Sequence, residues 1–265
     1  MFDSGVGGLT VLHECLVSLP QEDFVYLGDT EWFPYGSRDT ARLRERIAGI
    51  ASLLLGRGAK LLVIACNTAT SIGEDVAREV GAEHGVEVVP VVAPQAEIAA
   101  AITDSGRVGV LATPNTVESG AYRRALEAQG RALEVTEVEA PDLAPFIQNG
   151  SLFDESAVTM ARAYCAPLKA ADVDTLILGC THYPLVAPML QRILGRDVRL
   201  VSGGHAVAAA VQRTLEGAGL AQGRRDEGDY DFLCTGESTA FREVGTRFLQ
   251  MPLGEVEQVE IPVRH

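Results

Sequence analysis

The sequence predicts an α/β fold of two similar halves, each with a parallel-type sheet flanked by helices, and a cleft between them. Three observations predict it. Short apolar, β-favouring runs alternate with helical stripes along the chain, as in parallel sheets buried on both faces. One unit, strand–small residue–Cys–polar–polar, occurs twice, as LLVIACNTAT (Leu61–Thr70) and TLILGCTHYP (Thr175–Pro184), with Cys66 and Cys180 114 residues apart. Turns of small and polar residues, DSGVGG from Asp3 and TPNTVESG from Thr113, follow corresponding strands. The expected division is residues 1–92 with 205–265 in one domain and 93–204 in the other, so that the chain leaves the first domain and returns to it.

Each element follows from local residues. Asp3 and Ser4 end a short first strand, Gly5, Gly7 and Gly8 form a turn, and Leu9, Leu12 and Leu16 recur at helical spacing. Such a turn can aim backbone N–H groups at an anion. It is not a dinucleotide fingerprint, because Thr10 stands where the third glycine would be. Phe24–Leu27 reads as a strand ending in Gly28, Asp29 and Thr30, and EWFPYGSRD as a loop broken by Pro34 and Gly36. Leu43, Ile47, Ile50 and Leu54 make a helical stripe closed by Gly56. The Cys66 strand, a helix with Ile72, Val76 and Val80, and a strand over 86–92 complete this stretch.

The second stretch begins with a strand over 107–112 and a helix through Leu126. A strand near 133–135 and helices around 141–147 and 153–168 lead to the Cys180 strand, with Pro184 suited to the first turn of the next helix. A strand over 198–201, a helix from His205, a strand over 230–234, a helix around 241–248 and a tail strand over 256–261 follow. The polar link 217–228 reads as mobile.

Composition narrows the function. The chain has 265 residues, 47% hydrophobic and 22% charged, which is globular composition. A net charge of −14 argues against nucleic-acid or anionic-membrane partners, though not against a small anionic ligand. No run is long and apolar enough to span a membrane, and Asp3 interrupts any apolar leader. Five cysteines, an odd count, suit a reduced, cytoplasmic protein.

Ligands of open α/β sheets bind beyond the carboxyl ends of strands, where the thiols of Cys66 and Cys180, the hydroxyl of Thr181 and the imidazole of His182 fall. The bland alternative is a pair of buried structural cysteines, but both are followed by hydrogen-bonding residues. No Cys-x-x-Cys or His-x-x-x-His spacing supports a metal or a redox pair, so no metal is expected. Pyridoxal phosphate is disfavoured, because Lys60 lies at the wrong end of its strand and Lys169 at the end of a helix. His13, His84, His205 and His265 read as surface or helix-face residues. Asp29 is either a site residue or a turn cap, and Tyr35 by itself reads as a loop anchor.

FDSGVGGLTVL, YLGDTEWFPYGSRD, ACNTAT and GCTHYP, in this order, resemble the glutamate racemase family of the aspartate/glutamate racemase superfamily over essentially the whole chain. The resemblance implies a cofactor-independent enzyme that interconverts L- and D-glutamate for cell-wall synthesis. It also implies two pseudo-symmetric α/β domains around the active site, usually in a homodimer. By motif, Cys66 and Cys180 match the catalytic thiols, the bases for D- and L-glutamate respectively, and Asp3 and His182 match the residues that assist them. Asp3, Ser4, Tyr35, Gly36, Asn67, Thr68, Thr181 and His182 match substrate-binding positions. Three departures stand out: few residues precede DSG, Gln148 stands where the family commonly has glutamate, and Val201 where it often has aspartate.

Physical reasoning supports such chemistry. Racemisation removes a proton from one face of a carbon and returns one to the other, which suits two bases on opposite sides. A thiol of pKa about 8.5 is mostly protonated at neutral pH, so one thiolate and one thiol must exchange roles. With few lysines, hydroxyls, amides and backbone N–H groups are expected to hold the substrate, with Thr113 and Thr116 added to the residues above. The competing readings are a racemase for aspartate and a non-catalytic binder of an acidic amino acid.

Overall fold

The structure, a computed structural model, describes residues 1–150 and 154–262. In chain order the strands are β1 (Phe2–Asp3), β2 (Phe24–Gly28), β3 (Leu61–Ile64), β4 (Glu87–Pro90), β5 (Arg107–Ala112), β6 (Glu134–Glu139), β7 (Thr175–Gly179), β8 (Arg199–Val201), β9 (Tyr230–Cys234) and β10 (Val256–Gln258). The helices are α1 (Leu9–Ser18), α2 (Thr40–Gly56), α3 (Asn67–Glu83), α4 (Val92–Ile102), α5 (Pro114–Glu118), α6 (Ala121–Glu127), α7 (Leu143–Gln148), α8 (Glu155–Ala170), α9 (Ala187–Leu194), α10 (Gly203–Gly217) and α11 (Ser238–Leu249).

Among the described residues the strands form two sheets, ordered β10-β9-β2-β1-β3-β4 and β6-β5-β7-β8, and all their pairings are parallel. Without β9 and β10, the two orders are the same: second strand, first, third, fourth. The repeat seen in the sequence is thus a repeat of topology. Small residues at the strand ends let neighbours close in. A Cβ on Gly179 would lie 2.8 Å from that of Ala112, and one on Gly28 2.6 Å from the Gly5 carbonyl oxygen.

The chain passes between the sheets through helices rather than loops. The cut points expected at 92/93 and 204/205 fall inside α4 and α10. These two helices pack on each other, α10 also lies on α1, and α4 also lies on β7 and β8. One apolar core runs continuously from Leu9 and Leu12 through Val89 and Ala96 to Val110 and Ile177. A second core lies on the other face of the first sheet, beneath α2 and α3, around Phe2, Leu27, Ile47 and Ile64.

Several boundaries differ from expectation for physical reasons. β4 ends at Pro90, which has no N–H for the ladder, and Val92 opens α4 instead of closing a strand. The helix expected through Leu126 is two, broken at Gly120 with φ +65°. The glycine in left-handed conformation after α2 is Gly58 (φ +86°) rather than Gly56. β6 runs to Glu139, its glutamates masking an edge strand. Pro184 sits in a single 3-10 turn before α9, α10 starts two residues before His205, and β10 stops at Gln258. α8 begins at Glu155, and Phe153 lies outside the described residues, as does His265. The link 217–228 is tied down. The Gln222 N–H donates to Glu22 Oε1 (2.7 Å), Arg224 Nε to the Gln21 carbonyl (2.8 Å) and the Gly228 N–H to the Pro20 carbonyl (2.9 Å).

Candidate active site

The carboxyl ends of β1, β3, β5 and β7 converge on a small cavity of about 20 Å³. Of the residues singled out in the sequence, Ser4, Tyr35, Gly36, Cys66, Asn67, Thr68, Thr113, Cys180, Thr181 and His182 line it. Asp3 and Thr116 are fully buried just behind that lining.

β1 delivers Asp3. Its Oδ1 accepts the Gly5 N–H at 2.9 Å, and its Oδ2 accepts the Thr181 hydroxyl at 3.1 Å. The Thr10 hydroxyl reaches the Thr181 carbonyl at 3.1 Å, so the turn after β1 grips the segment after β7. Burial pushes the Asp3 carboxyl above the ordinary carboxylate range, against the pull of its hydrogen bonds. Gly7 is required by proximity, since a Cβ there would stand 2.3 Å from Thr181 Oγ1 and 2.5 Å from His182 Nδ1.

β3 delivers Cys66, which caps α3: its Sγ accepts the Ala69 N–H at 3.4 Å. A helix N-terminus favours the thiolate. Burial and the nearby Asp3 carboxyl work against it and prevail, pushing the thiol up to about 12. On the far side, β7 delivers Cys180, likewise pushed up by burial. Its Sγ lies 3.8 Å from His182 Nδ1, and His182 Nε2 lies 3.0 Å from Gln148 Oε1 at the end of α7. The imidazole sits between Phe33 and Phe248, and burial lowers its pKa to about 3, so the ring is neutral. With neutral thiols and a neutral imidazole, the cavity offers little repulsion to an anionic ligand.

The remaining walls are hydrogen-bonding. Thr68, Thr113 and Thr116 form a triangle of hydroxyls with sides of 2.9, 3.0 and 3.3 Å. Asn115 Nδ2 donates to the carbonyls of Tyr35 (3.0 Å) and Arg38 (2.9 Å), fastening the loop that carries Tyr35 and Gly36 to α5. None of the described lining residues is Lys or Arg. Lys60 pairs with Glu22, and Lys169 reaches the Ile193 carbonyl, both away from the cavity.

Asp29 is a clamp rather than a cavity wall. Its carboxylate takes the Tyr35 hydroxyl (2.5 Å), the Thr235 hydroxyl (2.7 Å) and the Arg46 guanidinium (2.7 and 2.9 Å). His13 and His84 bond main-chain carbonyls, and the exposed His205 pairs with Glu14. Sequence reasoning missed Gln95 and Tyr122. Both bond the Asn67 amide, at 2.8 and 2.6 Å, and Gln95 also spans to the carbonyls of Leu178 and Val201. It also missed Phe33 and Ala144 as walls. A glutamine in the first turns of an otherwise alanine-rich stretch, VAPQAEIAAAI, was the one signal the sequence offered.

The chain is similar to known proteins over nearly its whole length. The sequence pattern of a family described as Asp/Glu/Hydantoin racemase matches residues 17–211. A glutamate racemase of Geobacter metallireducens is 40% identical over 261 residues, covering 98% of this chain and 96% of that protein. The crystal structure of glutamate racemase isoform RacE1 from Bacillus anthracis is similar with a TM-score of 0.93 at 32% identity, covering 99% of this chain and 97% of that one. A glutamate racemase from Francisella tularensis in complex with D-glutamate has a TM-score of 0.91 at 30% identity, over 98% and 96% of the two chains.

Proposed function

This chain belongs to the Asp/Glu/hydantoin racemase family and is an amino-acid racemase, and from that premise we propose that it interconverts L- and D-glutamate by proton transfer between two cysteines. One observation carries the reading: Cys66 and Cys180 stand just past the third strand of their respective sheets and line the same cavity. Cys180 takes the α-proton of L-glutamate while Cys66 returns one to the opposite face, and the roles reverse for D-glutamate. Each thiol must ionise against its burial, and the substrate ammonium, on entering, favours the thiolate. Asp3 assists Cys66 and His182 assists Cys180.

The substrate carboxylates are held without arginine or lysine. Hydroxyls of Ser4, Thr68, Thr113 and Thr181, the Asn67 amide and the segment Tyr35–Gly36 surround the cavity, and Thr116 holds the hydroxyl triangle in place. Neither metal nor organic cofactor enters this scheme. The role it assigns is supply of D-glutamate for peptidoglycan, in the cytoplasm, by a homodimer; the glutamate racemases among its relatives support that role.

The deciding experiment is incubation in deuterium oxide with each enantiomer of glutamate and of aspartate. Solvent deuterium at the α-carbon of glutamate, with much slower exchange into aspartate, is expected. Faster exchange into aspartate would transfer the assignment to that substrate, and binding with no exchange would leave a non-catalytic binder.

A further inference from the structure

We propose that Gln148 is a positioning residue: by accepting the Nε2–H of His182 it holds the imidazole in the tautomer whose Nδ1 lone pair faces the Cys180 thiol. This inference rests on the proton-transfer reading above and assigns the half-site of Cys180 its own proton acceptor.

The geometry is specific. His182 is 1% exposed, so water does not choose its tautomer. Phe33 and Phe248 flank the ring at centroid distances of 5.3 and 5.1 Å, and Gly7 closes against its Nδ1 and Cε1 edge, so the ring is held in orientation. A nitrogen 3.0 Å from a carbonyl-type oxygen must bear the hydrogen, and a neutral ring carries only one. Nδ1 is therefore left as the acceptor, 3.8 Å from Cys180 Sγ. The main chain at Gln148 is anchored, its carbonyl accepting from Arg247 on α11 at 3.0 Å. The resemblance to glutamate racemases leads one to expect a carboxylate here, which would favour imidazolium. The amide favours the neutral ring, and burial does the same.

The proton step balances. The S–H proton of Cys180 passes to Nδ1, giving a thiolate and an imidazolium whose Nε2–H still points to Gln148. The thiolate then removes the α-proton of the L-configured substrate and becomes a thiol again. The titratable and charged groups around the ring are Cys180, Asp3 behind Thr181, and Arg247 behind Gln148.

Two readouts test this on the full chain. Nitrogen-15 NMR of histidine-labelled protein, assigned with His182→Gln, is expected to give the neutral Nε2–H tautomer in the unmodified chain and a mixed or Nδ1–H signature in Gln148→Leu. A glutamate analogue with a leaving group at the β-carbon reports proton abstraction as elimination. Gln148→Leu is expected to slow elimination from the L-configured analogue roughly tenfold and to leave that from the D-configured one within about twofold. Gln148→Glu is expected to move the acidic limb of L-analogue elimination to higher pH, because the carboxylate favours the imidazolium that cannot take the thiol proton, a change that a merely structural role would not produce. An Nδ1–H tautomer in the unmodified chain, or equal losses with both analogues, would overturn the proposal. The tautomer is read without turnover, so failure of the racemase reading and failure of this inference are distinguishable.

Discussion

Serine in place of Cys66 or Cys180 keeps the shape of the site and removes its base. Each single substitution is expected to cut racemisation by roughly 10²–10⁴-fold, the usual worth of one acid–base group. Partial chemistry should survive: Cys66→Ser still eliminates from the L-configured analogue and Cys180→Ser from the D-configured one. One variant dead towards both analogues beside another nearly normal would contradict two-base chemistry. His182 makes a second prediction, about stability. Its folded pKa is lowered to about 3 from 6.5. Between those values the unfolded chain binds the extra proton, so this group's contribution to stability rises with pH and is lost as pH falls below 6.5. His182→Asn should flatten the dependence of Tm on pH across that window, and an unchanged acid slope would contradict the assignment. The sequence already named both thiols, because a cysteine ending an apolar strand run is a local pattern. The Asp29–Arg46 pair and the Asn67–Gln95–Tyr122 network were not legible, since their partners meet only in the folded chain.

Among elements, the turn between β1 and α1 illustrates what glycine does here. A methyl on Gly7 would collide with Thr181 and His182, which belong to the other sheet's half of the site. Gly7→Ala is expected to lower Tm and to cut kcat/KM by roughly 100-fold, the order of loss that follows misplacing reacting groups by an ångström. Gly56 is the control. It sits in α2 with nothing within 4 Å of an added Cβ, so Gly56→Ala should raise stability by about 0.5–1 kcal/mol. Equal Tm changes in the two variants would show that the close approach at Gly7 is not tight. Element types were readable because apolar period and length differ between strand and helix. Ends were less so: β6 alternates glutamate with valine and threonine at a sheet edge, and Val92 is as apolar in α4 as it would be in a strand.

At the scale of the molecule, the core that joins α1 and α10 to β5 and β7 leaves no apolar gap between the sheets. Calorimetry is therefore expected to record one unfolding transition rather than two. Two resolved transitions would mean that the sheets are energetically independent. The doubling of the fold was visible in the recurrence of the cysteine unit, but the shared strand order was not. It depends on which strands pair, and pairing partners lie too far apart in the chain for local patterns to reveal them. The addition of β9 and β10 beside β2 likewise required the fold, because residues 230–258 carry no mark of which edge they extend.

Enantiomers have equal free energy in water, so a catalyst that interconverts them must have the same kcat/KM in both directions. The matched strand ends present like thiols to the substrate, yet their neighbours are unlike: an amide N–H of α3 at Cys66, an imidazole at Cys180. That inequality cannot appear in kcat/KM. It can only divide the same ratio differently between kcat and KM for the two enantiomers. Any substitution beside one thiol, Gln148→Leu included, must therefore lower kcat/KM for L- and D-glutamate by one common factor, while the separate kcat and KM values drift apart. The surroundings of each thiol thus govern which enantiomer saturates the enzyme first, and so the concentrations at which it works as a one-way supplier.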